Sequence, residues 1–304
     1  SYRTCSFITA SDSHQYMVLG QTSYTRGIAL ARSSILDITD PRYYQQSLFD
    51  FRARNTSTNA TFPNNQMDTA VGPNFGIRAL TPDSITQLQT YSSLANYTYN
   101  LTLAATSQVL YNGGLGYWAY GLHGEPTGEW SMPAMRTTGT ITVRGQELAV
   151  LPDQSFTWYD RQWTNTNTNT NTTAAPRNGT WFQLHVPGTD IKGSIWALDY
   201  SDSRQVRMAT FRSANGDHRL LSFGYDYSTR SEDVWHSFVN NRTYPLAYTM
   251  DFGQHGRVTA RSYRDDQLTY NVSAGLRAAY EGFATFNVSM FGVEATGYGL
   301  VEIV

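Results

Sequence analysis

The sequence predicts an all-β protein, and three observations carry that prediction. Aromatic residues make up 14% of the chain and charged residues 15%, with 21 Tyr and 24 Gly, a balance typical of strands and tight turns rather than helical bundles. About seventeen short runs, among them CSFITA and GTITVRG, alternate or are rich in β-branched residues. Gly, Asn and Asp turns separate these runs, which favours β-sandwiches or barrels.

Signals for helices are weak along the whole chain. The segment 81–95, TPDSITQLQTYSSLA, contains an Asp/Ser start and is the one place where we predict a short helix.

A low-complexity stretch, 164–175, divides the chain. Its polar Asn/Thr repeat is unable to bury apolar area, so we predict a solvated loop at this point. The expected organisation is therefore a first β-domain over 1–163, the loop over 164–175 and a second β-domain over 176–304.

Charge and motifs exclude several functional classes. The formal charge is −2 and Lys and Arg form no cluster, so no nucleic-acid surface is expected. No run approaches the roughly 18 apolar residues of a spanning helix. Since neither a His-x-His or Cys/His spacing nor a Gly-x-Ser-x-Gly elbow occurs, neither a metal site nor a serine hydrolase is predicted. Nothing in the pattern fixes an oligomeric state.

Nine Asn-x-Ser/Thr sequons predict N-linked glycans, although Thr-rich turns also generate such triplets by chance. We therefore expect a protein of the secretory pathway, extracellular or vacuolar. Cys5 has no second cysteine with which to form an internal disulfide. The chain begins without Met inside a strand-like run, so we expect that a signal peptide or longer segment has been removed. The nine asparagines are Asn55, Asn59, Asn96, Asn100, Asn171, Asn178, Asn241, Asn271 and Asn287.

The stretch 129–163 carries the most distinctive candidate chemistry. With a period of two, Trp130 and Met132 share one strand face, and Trp158 shares a face with Asp160. A carboxyl group next in register to an indole bears a desolvation cost unless it is paired. Asp160 is thus either a structural partner of Arg161 or Arg136, or an acid held in an apolar cavity.

A second alternating segment, 180–185, places Trp181, Gln183 and His185 on one strand face. That face either presents an indole, an amide and an imidazole to a cavity, or it meets solvent. Tyr120, beside a glycine-rich turn, and Trp196 are candidates for contact with a flat ligand, the alternative for each being core packing.

Several motifs together make the chain similar to a known superfamily. FITASDSHQYMVLG, SSILDITDPRYY, GEWSMPAMRTTGTITV, TWYDRQW, GTWFQLHV and the ending YEGFATFNVSMFGVEATGYGLVEIV resemble the fungal branch of the hydroxyneurosporene-synthase (carotenoid hydratase) superfamily. That branch contains kievitone-hydratase-like proteins and fungal Diels–Alderases. The Asn/Thr insertion after Trp163 and the missing Trp-rich start before Phe7 depart from the family pattern.

The resemblance implies a fold and a kind of chemistry. It implies two lipocalin-like or β-sandwich and β-barrel domains side by side, with a hydrophobic pocket at or near their interface, and catalysis without a cofactor. The proton donor of carotenoid hydratases maps onto Asp160, two residues after Trp158, and a further Trp of that site maps onto Trp130. The cyclases of the family imply instead a shaped aromatic pocket with hydrogen-bond donors such as Gln183, His185 and Tyr120.

Three functions follow as expectations. The first is a cofactor-independent cyclase of fungal-type secondary metabolism, directing a Diels–Alder or hetero-Diels–Alder cyclisation of a hydrophobic polyene, polyketide or terpenoid. The second is an alkene hydratase or hydroalkoxylating cyclase with Asp160 as general acid. The third is a secreted lipocalin-like carrier, which would use the same aromatic residues to hold an apolar ligand. The predicted substrate-binding residues are Tyr120, Trp130, Met132, Trp158, Trp181 and Trp196, and the predicted catalytic residues are Asp160, Gln183 and His185.

Overall fold

The all-β class is confirmed by a computed structural model of the protein. It describes residues 1–25, 28–52, 66–120, 126–164, 176–213, 215–271 and 277–303. Strands account for 66% and helix for 5%, and the sheets are curled half-barrels. The alternating runs form strands because each can bury one face while its backbone pairs with two neighbours.

Twenty-four strands occur in the described ranges. The first twelve are β1 Tyr2–Thr9, β2 Gln15–Thr25, β3 Ile28–Asp37, β4 Tyr44–Arg52, β5 Phe75–Ala79, β6 Gln87–Ser92, β7 Thr98–Ala105, β8 Leu110–Tyr111, β9 Tyr117–Ala119, β10 Pro126–Val143, β11 Gln146–Ala149 and β12 Phe156–Thr164. The others are β13 Asn178–His185, β14 Lys192–Asp199, β15 Gln205–Arg212, β16 His218–Leu221, β17 Gly224–Tyr227, β18 Val234–Ser237, β19 Arg242–Pro245, β20 Ala247–Asp251, β21 Gly256–Ser262, β22 Leu268–Asn271, β23 Arg277–Met290 and β24 Val293–Ile303. Single 3-10 turns cover Asn112–Gly114, Pro152–Gln154, Ser231–Asp233 and Gly253–His255.

These strands form two large sheets and one small one. The first sheet runs β4-β3-β2-β1-β12-β10-β7-β6-β5, with β8, β9 and β11 also paired to β10. The second runs β16-β15-β14-β13-β24-β23-β21-β20-β17, with β22 paired to β23, and β18 and β19 form a separate hairpin. In each large sheet the last strand in sequence, β12 or β24, lies inside the order and pairs with the first, β1 or β13, so each sheet is completed only when its last strand is added.

Two compact units are distinguished by their internal contacts. Unit 1 contains 1–108, 131–161 and 269–277, and unit 2 contains 109–130, 162–268 and 278–304. The change of unit after Arg161 falls close to the predicted domain boundary at residue 163. Two segments depart from this simple division. Residues 109–130 belong to unit 2 although segments of unit 1 precede and follow them, and residues 269–277 belong to unit 1 between two segments of unit 2. The loop predicted over 164–175 lies almost entirely outside the described residues.

Hydroxyl pairs are a main feature of the core of unit 1. Ser6 and Thr137 each bond the hydroxyl of Thr157 at 2.7 Å. The hydroxyl of Tyr97 bonds Ser33 at the same distance. Because these side chains are buried, each hydroxyl offsets its desolvation cost by bonding another.

Aromatic contacts dominate the core of unit 2. Phe182 of β13 packs edge-to-face against Tyr248 at 5.0 Å and Phe286 at 6.3 Å between ring centroids. Opposite Leu184 lies Gly299 of β24, where an added Cβ would overlap the backbone carbonyl of Gln183. A glycine is therefore required here for β24 and β13 to approach each other.

The short helix predicted over 81–95 is wrong. Residues 87–92 form β6, in which Leu88, Thr90 and Ser92 are buried and alternate with more exposed neighbours. The Asp/Ser signal before this segment favours a helix start, whereas the period of two within QLQTYS favours a strand. The strand forms because β6 pairs with a neighbour on each side, β5 and β7.

Candidate functional site

A buried carboxyl group held by two donors forms the first centre, in unit 1. Asp160 of β12 is only 3% exposed. Its Oδ1 accepts a hydrogen bond of 2.5 Å from the Ser131 hydroxyl and one of 2.6 Å from the indole nitrogen of Trp158. Trp158 reaches it because residues two apart on a strand share a face, and Ser131 lies on β10, the neighbouring strand. The two donors fix the orientation of the carboxyl group.

The arginines expected beside Asp160 lie elsewhere. Arg161 is on the opposite face of β12, with its guanidinium over the ring of Tyr2 at 5.5 Å. Arg136 bonds Asp153 at 3.0 Å. The residue directly opposite Asp160 is Arg3 of β1, which is buried, and the sequence interpretation did not name it. Cross-strand position, rather than sequence proximity, selects the basic neighbour of a strand carboxylate.

The other two predicted residues of this stretch differ in burial. Met132 of unit 1 is buried, and Trp130 of unit 2 is half-buried. Both belong to β10, as the alternation predicted.

The second centre is one face of the second sheet, entirely within unit 2, and it consists of three cross-strand rows. The first row reads Glu281, Glu302, Trp181, Trp196 and Met208; the second Phe283, Leu300, Gln183, Ser194 and Thr210; the third Thr285, Tyr298, His185, Lys192, Arg212 and His218. Directly opposite residues of antiparallel strands share a face and have neighbouring Cβ atoms. The face thus has carboxylates and indoles at one end and basic groups at the other.

The predicted triplet of β13 lies together on this face. Trp181 and Gln183 are fully buried and His185 is half-buried, so at the first two positions the face does not meet solvent. Within the described residues the amide of Gln183 has a hydrogen-bond partner on neither its oxygen nor its nitrogen. A buried amide in that state costs free energy, which makes Gln183 a candidate for bonding a ligand.

The indoles form a continuous cluster of tilted rings in unit 2. Trp196 lies 5.8 Å from Trp181 and 5.1 Å from Trp118 between ring centroids, and Tyr120 meets Trp118 edge-on at 5.3 Å. The indole nitrogen of Trp181 donates to Ser194 at 2.8 Å. Burial first, then the negative charges of Glu302 and other neighbours, raise the pKa of Tyr120. Its hydroxyl therefore remains a hydrogen-bond donor across the physiological pH range.

Three buried glutamates are not among the site residues predicted from the sequence. Glu281 and Glu302 are directly opposite on β23 and β24, and Glu129 of β10 also acts on Tyr120 through its charge. All three are buried. A signal for two of them existed, because YEGF and GLVEI each place a glutamate inside an otherwise apolar strand.

Basic groups meet at the other end of the same face. The ammonium of Lys192 bonds Nδ1 of His185. Burial first, and the charge of Lys192 second, lower the pKa of His185 to about 3, while burial lowers that of Lys192 to about 8. At pH 7 His185 is thus a neutral imidazole beside a lysine that is mostly charged.

Other parts of the described chain offer less chemistry. Two hollows of unit 2, of about 520 and 360 Å³, are lined by none of the predicted catalytic or substrate-binding residues. Across the described ranges, no group of three or more His, Cys, Asp or Glu side chains could hold a metal ion. In the same ranges no helix is long and apolar enough to cross a membrane.

Comparison with known proteins finds relatives along the whole chain. The AttH-like family matches residues 19–304. Kievitone hydratase of Fusarium solani subsp. phaseoli is 35% identical, with 100% of this chain and 82% of the relative aligned. Dehydratase asqC of Emericella nidulans is 33% identical, with 100% and 84% aligned.

Solved structures share the fold, and one of them has about the same sequence identity to this chain as the two relatives above. The crystal structure of kievitone hydratase from Nectria haematococca superposes with a TM-score of 0.86 at 34% identity, covering 100% of this chain and 88% of that one. CghA with Sch210972 superposes with a TM-score of 0.58 at 10% identity, covering 100% and 87%, which is a likeness of fold alone.

Proposed function

The chain belongs to the AttH-like family, and from that premise we propose that it adds water to, or removes water from, an alkene of a hydrophobic small molecule. Its relatives identify it as an enzyme of the hydro-lyase or cyclase type. Two relatives that align over the whole chain are named a hydratase and a dehydratase. The buried carboxylates also favour hydration or dehydration, which needs a proton donor, over the cycloaddition that was the first expectation from the sequence.

The orientation of Asp160 is the observation that carries this proposal. A general acid must present its proton in a fixed direction to a carbon that has no lone pair. Ser131 and Trp158 both donate to Oδ1, so the proton is assigned to Oδ2, the oxygen to which neither of them donates. Because Asp160 is buried, bulk water is kept away from the carboxyl group and does not compete with the substrate for its proton.

The proposed reaction is balanced with Asp160 alone as the proton carrier. The proton passes from Oδ2 to one alkene carbon, and the electron pair of the double bond forms the new C–H bond. The other carbon becomes a carbocation, which the negative face of an aromatic ring such as Trp158 stabilises. Water adds to this cation and returns a proton to the carboxylate. The reverse sequence is dehydration.

Isotope labelling tests the reaction directly. The protein is incubated with a panel of prenylated phenols and polyene polyketides in ¹⁸O-labelled water, and products are analysed by mass spectrometry. A product heavier by one labelled water supports hydration, and loss of water from an alcohol supports dehydration. A product isomeric with its substrate and free of label contradicts the proposal.

That isomeric outcome would favour the second candidate, a cyclisation. The observation behind it is the buried amide of Gln183 two residues from the indole of Trp181, a donor beside an aromatic surface on which a polyene could be held in a reactive geometry. Stereochemically pure cyclised product would support this candidate. An apolar ligand that co-purifies unchanged would instead support the carrier.

We further propose that the protein is glycosylated in the secretory pathway, extracellular or vacuolar. Five sequon asparagines are exposed, namely Asn96, Asn100, Asn178, Asn241 and Asn287. Asn271 is half-buried and its Nδ2 donates to the Leu48 carbonyl at 2.6 Å, whereas Asn55, Asn59 and Asn171 lie outside the described residues. The exposure of these five sites supports the proposal, since modification needs access.

Glycopeptide mapping of protein from its native host tests this. We expect glycans at exposed sites and none at Asn271, and an endoglycosidase should lower the apparent mass. An unmodified mass would remove the argument for secretion.

A further inference from the structure

A row of basic groups crosses one edge of the face in unit 2. Across β13, β14, β15 and β16 the opposing residues are His185, Lys192, Arg212 and His218. Neighbouring Cβ atoms in such a row are about 5 Å apart. Four basic side chains in succession on a sheet repel one another when charged, and such an arrangement needs a compensating group.

Only two members of this row carry positive charge at neutral pH. His185 accepts the hydrogen bond of Lys192, and Nε2 of His218 accepts one of 2.9 Å from the backbone N–H of Tyr111. Both imidazoles are therefore neutral acceptors at these nitrogens. The charge is concentrated on the neighbouring Lys192 and Arg212.

Protein carboxylates leave these two charges largely uncompensated. Among the described residues no ion pair joins Lys192 or Arg212 to a carboxylate, and only the charge of exposed Asp190 acts on both from a distance. Arg212 is 5% exposed, and its Nε is buried without a hydrogen-bond partner in the described chain. A buried guanidinium nitrogen in that state is expensive, and an oxyanion is the partner that its geometry fits.

Aromatic rings extend from this row toward the surface. The ring of Tyr298 meets His185 edge-on at 5.1 Å, Phe283 lies against Tyr298 at 6.0 Å, and Tyr263 meets Phe283 at 5.4 Å between centroids. Tyr263 is 42% exposed. An apolar strip beside a pair of cations fits a ligand that has both an apolar body and an oxyanion.

We propose that Lys192 and Arg212 bind a carboxylate or similar oxyanion of an apolar ligand, whose body packs against Tyr298 and Phe283. The inference rests on the proposed function, because it names the substrate class as a hydrophobic acid. The glutamates Glu281 and Glu302 lie four residues farther along their strands, roughly 13 Å from the row. At that distance neither glutamate forms an ion pair with Lys192 or Arg212.

The lowered pKa values of the two cations predict how anion binding depends on pH. Burial lowers the pKa of Lys192 to about 8 and also lowers that of Arg212. A bound anion favours the charged forms and opposes this effect. Binding should therefore weaken as pH rises from 7 to 9 and Lys192 loses its proton. The titratable and charged groups beside Lys192 are His185, Tyr298, Arg212 and His218 of the same row, and Asp190.

The test uses retinoic acid and retinol, two polyenes of like shape that differ in charge, with tryptophan fluorescence quenching as the readout. We expect retinoic acid to bind about 10- to 100-fold more tightly than retinol, and Lys192→Met and Arg212→Met each to remove most of that difference. Arg219→Met is the matched control, since Arg219 is exposed on β16 and stacks on Phe291 instead. Retinol affinity and thermal melting check that the variants fold.

Equal affinity for retinoic acid and retinol in the parent overturns the inference without any variant. Competition by inorganic phosphate as effective as retinoic acid itself would mark a general anion site and also overturn it. Asp160→Asn should bind retinoic acid as the parent does. Turnover and retinoic acid binding are measured separately in that variant. Turnover tests the proposed reaction and binding tests the anion site, so that failure of one is distinguished from failure of the other.

Discussion

The two centres differ in how they hold their carboxyl groups. In unit 1 a single carboxyl, Asp160, takes hydrogen bonds from two neutral donors. In unit 2 two carboxyls, Glu281 and Glu302, are directly opposite on neighbouring strands, in a row that continues into Trp181. The first arrangement fixes the direction of one acid, whereas the second places two acids where they interact with each other.

Burial alone does not distinguish a reactive carboxylate from a structural one. Asp37 of unit 1 is as buried as Asp160, yet it accepts hydrogen bonds from the side chains of Arg144 and His14, both at 2.9 Å, and from backbone N–H groups. Asp37 is thus held as a structural carboxylate by two basic side chains and by backbone donors. Two neutral groups, Ser131 and Trp158, donate to Oδ1 of Asp160, and the orientation that they impose is the reason for proposing the acid there.

Replacement of Asp160 should have the largest effect. Asp160→Asn keeps the size and one acceptor oxygen but removes the transferable proton, so we expect kcat to fall by about 10² to 10⁴-fold with the fold retained. Turnover and thermal melting are measured together. Asp153→Asn is the matched control, because Asp153 is exposed and pairs only with exposed Arg136 in the described residues.

A different result would reassign Asp160. A lower melting temperature with unchanged turnover of the folded fraction would make it a structural residue, with Arg3 as the basic neighbour to test next. A loss of about tenfold or less would fit a confined cyclisation, and replacing a ring such as Trp130 should then cost more.

Removal of the Ser131 hydroxyl should have an intermediate effect. Ser131→Ala leaves Asp160 with the Trp158 donor but frees its rotation, so we expect kcat to fall by about 10- to 100-fold while KM changes little. Ser131→Thr retains a hydroxyl and should recover part of the loss. An equal fall in kcat in both variants would show that the size of the side chain at this position matters, rather than its hydrogen bond to Asp160.

The glutamates should matter less if Asp160 is the acid. Glu281→Gln and Glu302→Gln each preserve shape, and we expect kcat to fall by about tenfold or less. Glu294→Gln, on β24 but exposed and bonded to Ser289, controls for charge alone. A fall of 10²-fold or more in either variant, with Asp160→Asn nearly neutral, would move the acid from unit 1 to unit 2.

The sequence predicts faces better than it predicts neighbours. Alternation correctly placed Trp158 with Asp160, and Trp181 with Gln183 and His185, because a strand has a period of two. It paired Asp160 with nearby arginines, whereas Arg3 faces it across about 157 residues of chain. Such pairings depend on strand order, which a single sequence does not contain. The basic row was missed for the same reason, since its four members come from four strands.

Two histidines should respond to pH in opposite directions, one in each unit. The hydrogen bond that His14 donates to Asp37 raises the pKa of His14 above 6.5. His14 therefore stabilises unit 1 below pH 6.5, and this stability is lost as pH rises through the folded pKa. His185 has its pKa lowered to about 3. The unfolded chain binds a proton there between pH 6.5 and 3 that the folded chain does not, so the free energy of unfolding falls as pH falls.

Urea unfolding from pH 4.5 to 8.5 measures both effects. His185→Gln should gain stability relative to the parent below pH 6.5, by at most about 1.4 kcal/mol per pH unit. His14→Gln should lose stability in the same range and by less, because His14 is partly exposed to screening solvent. Each variant is the control for the other, as both remove an imidazole. Two difference curves of the same sign would contradict the assignment of opposite environments to the two histidines, and a flat curve for His185→Gln would remove the neutral imidazole from the basic row.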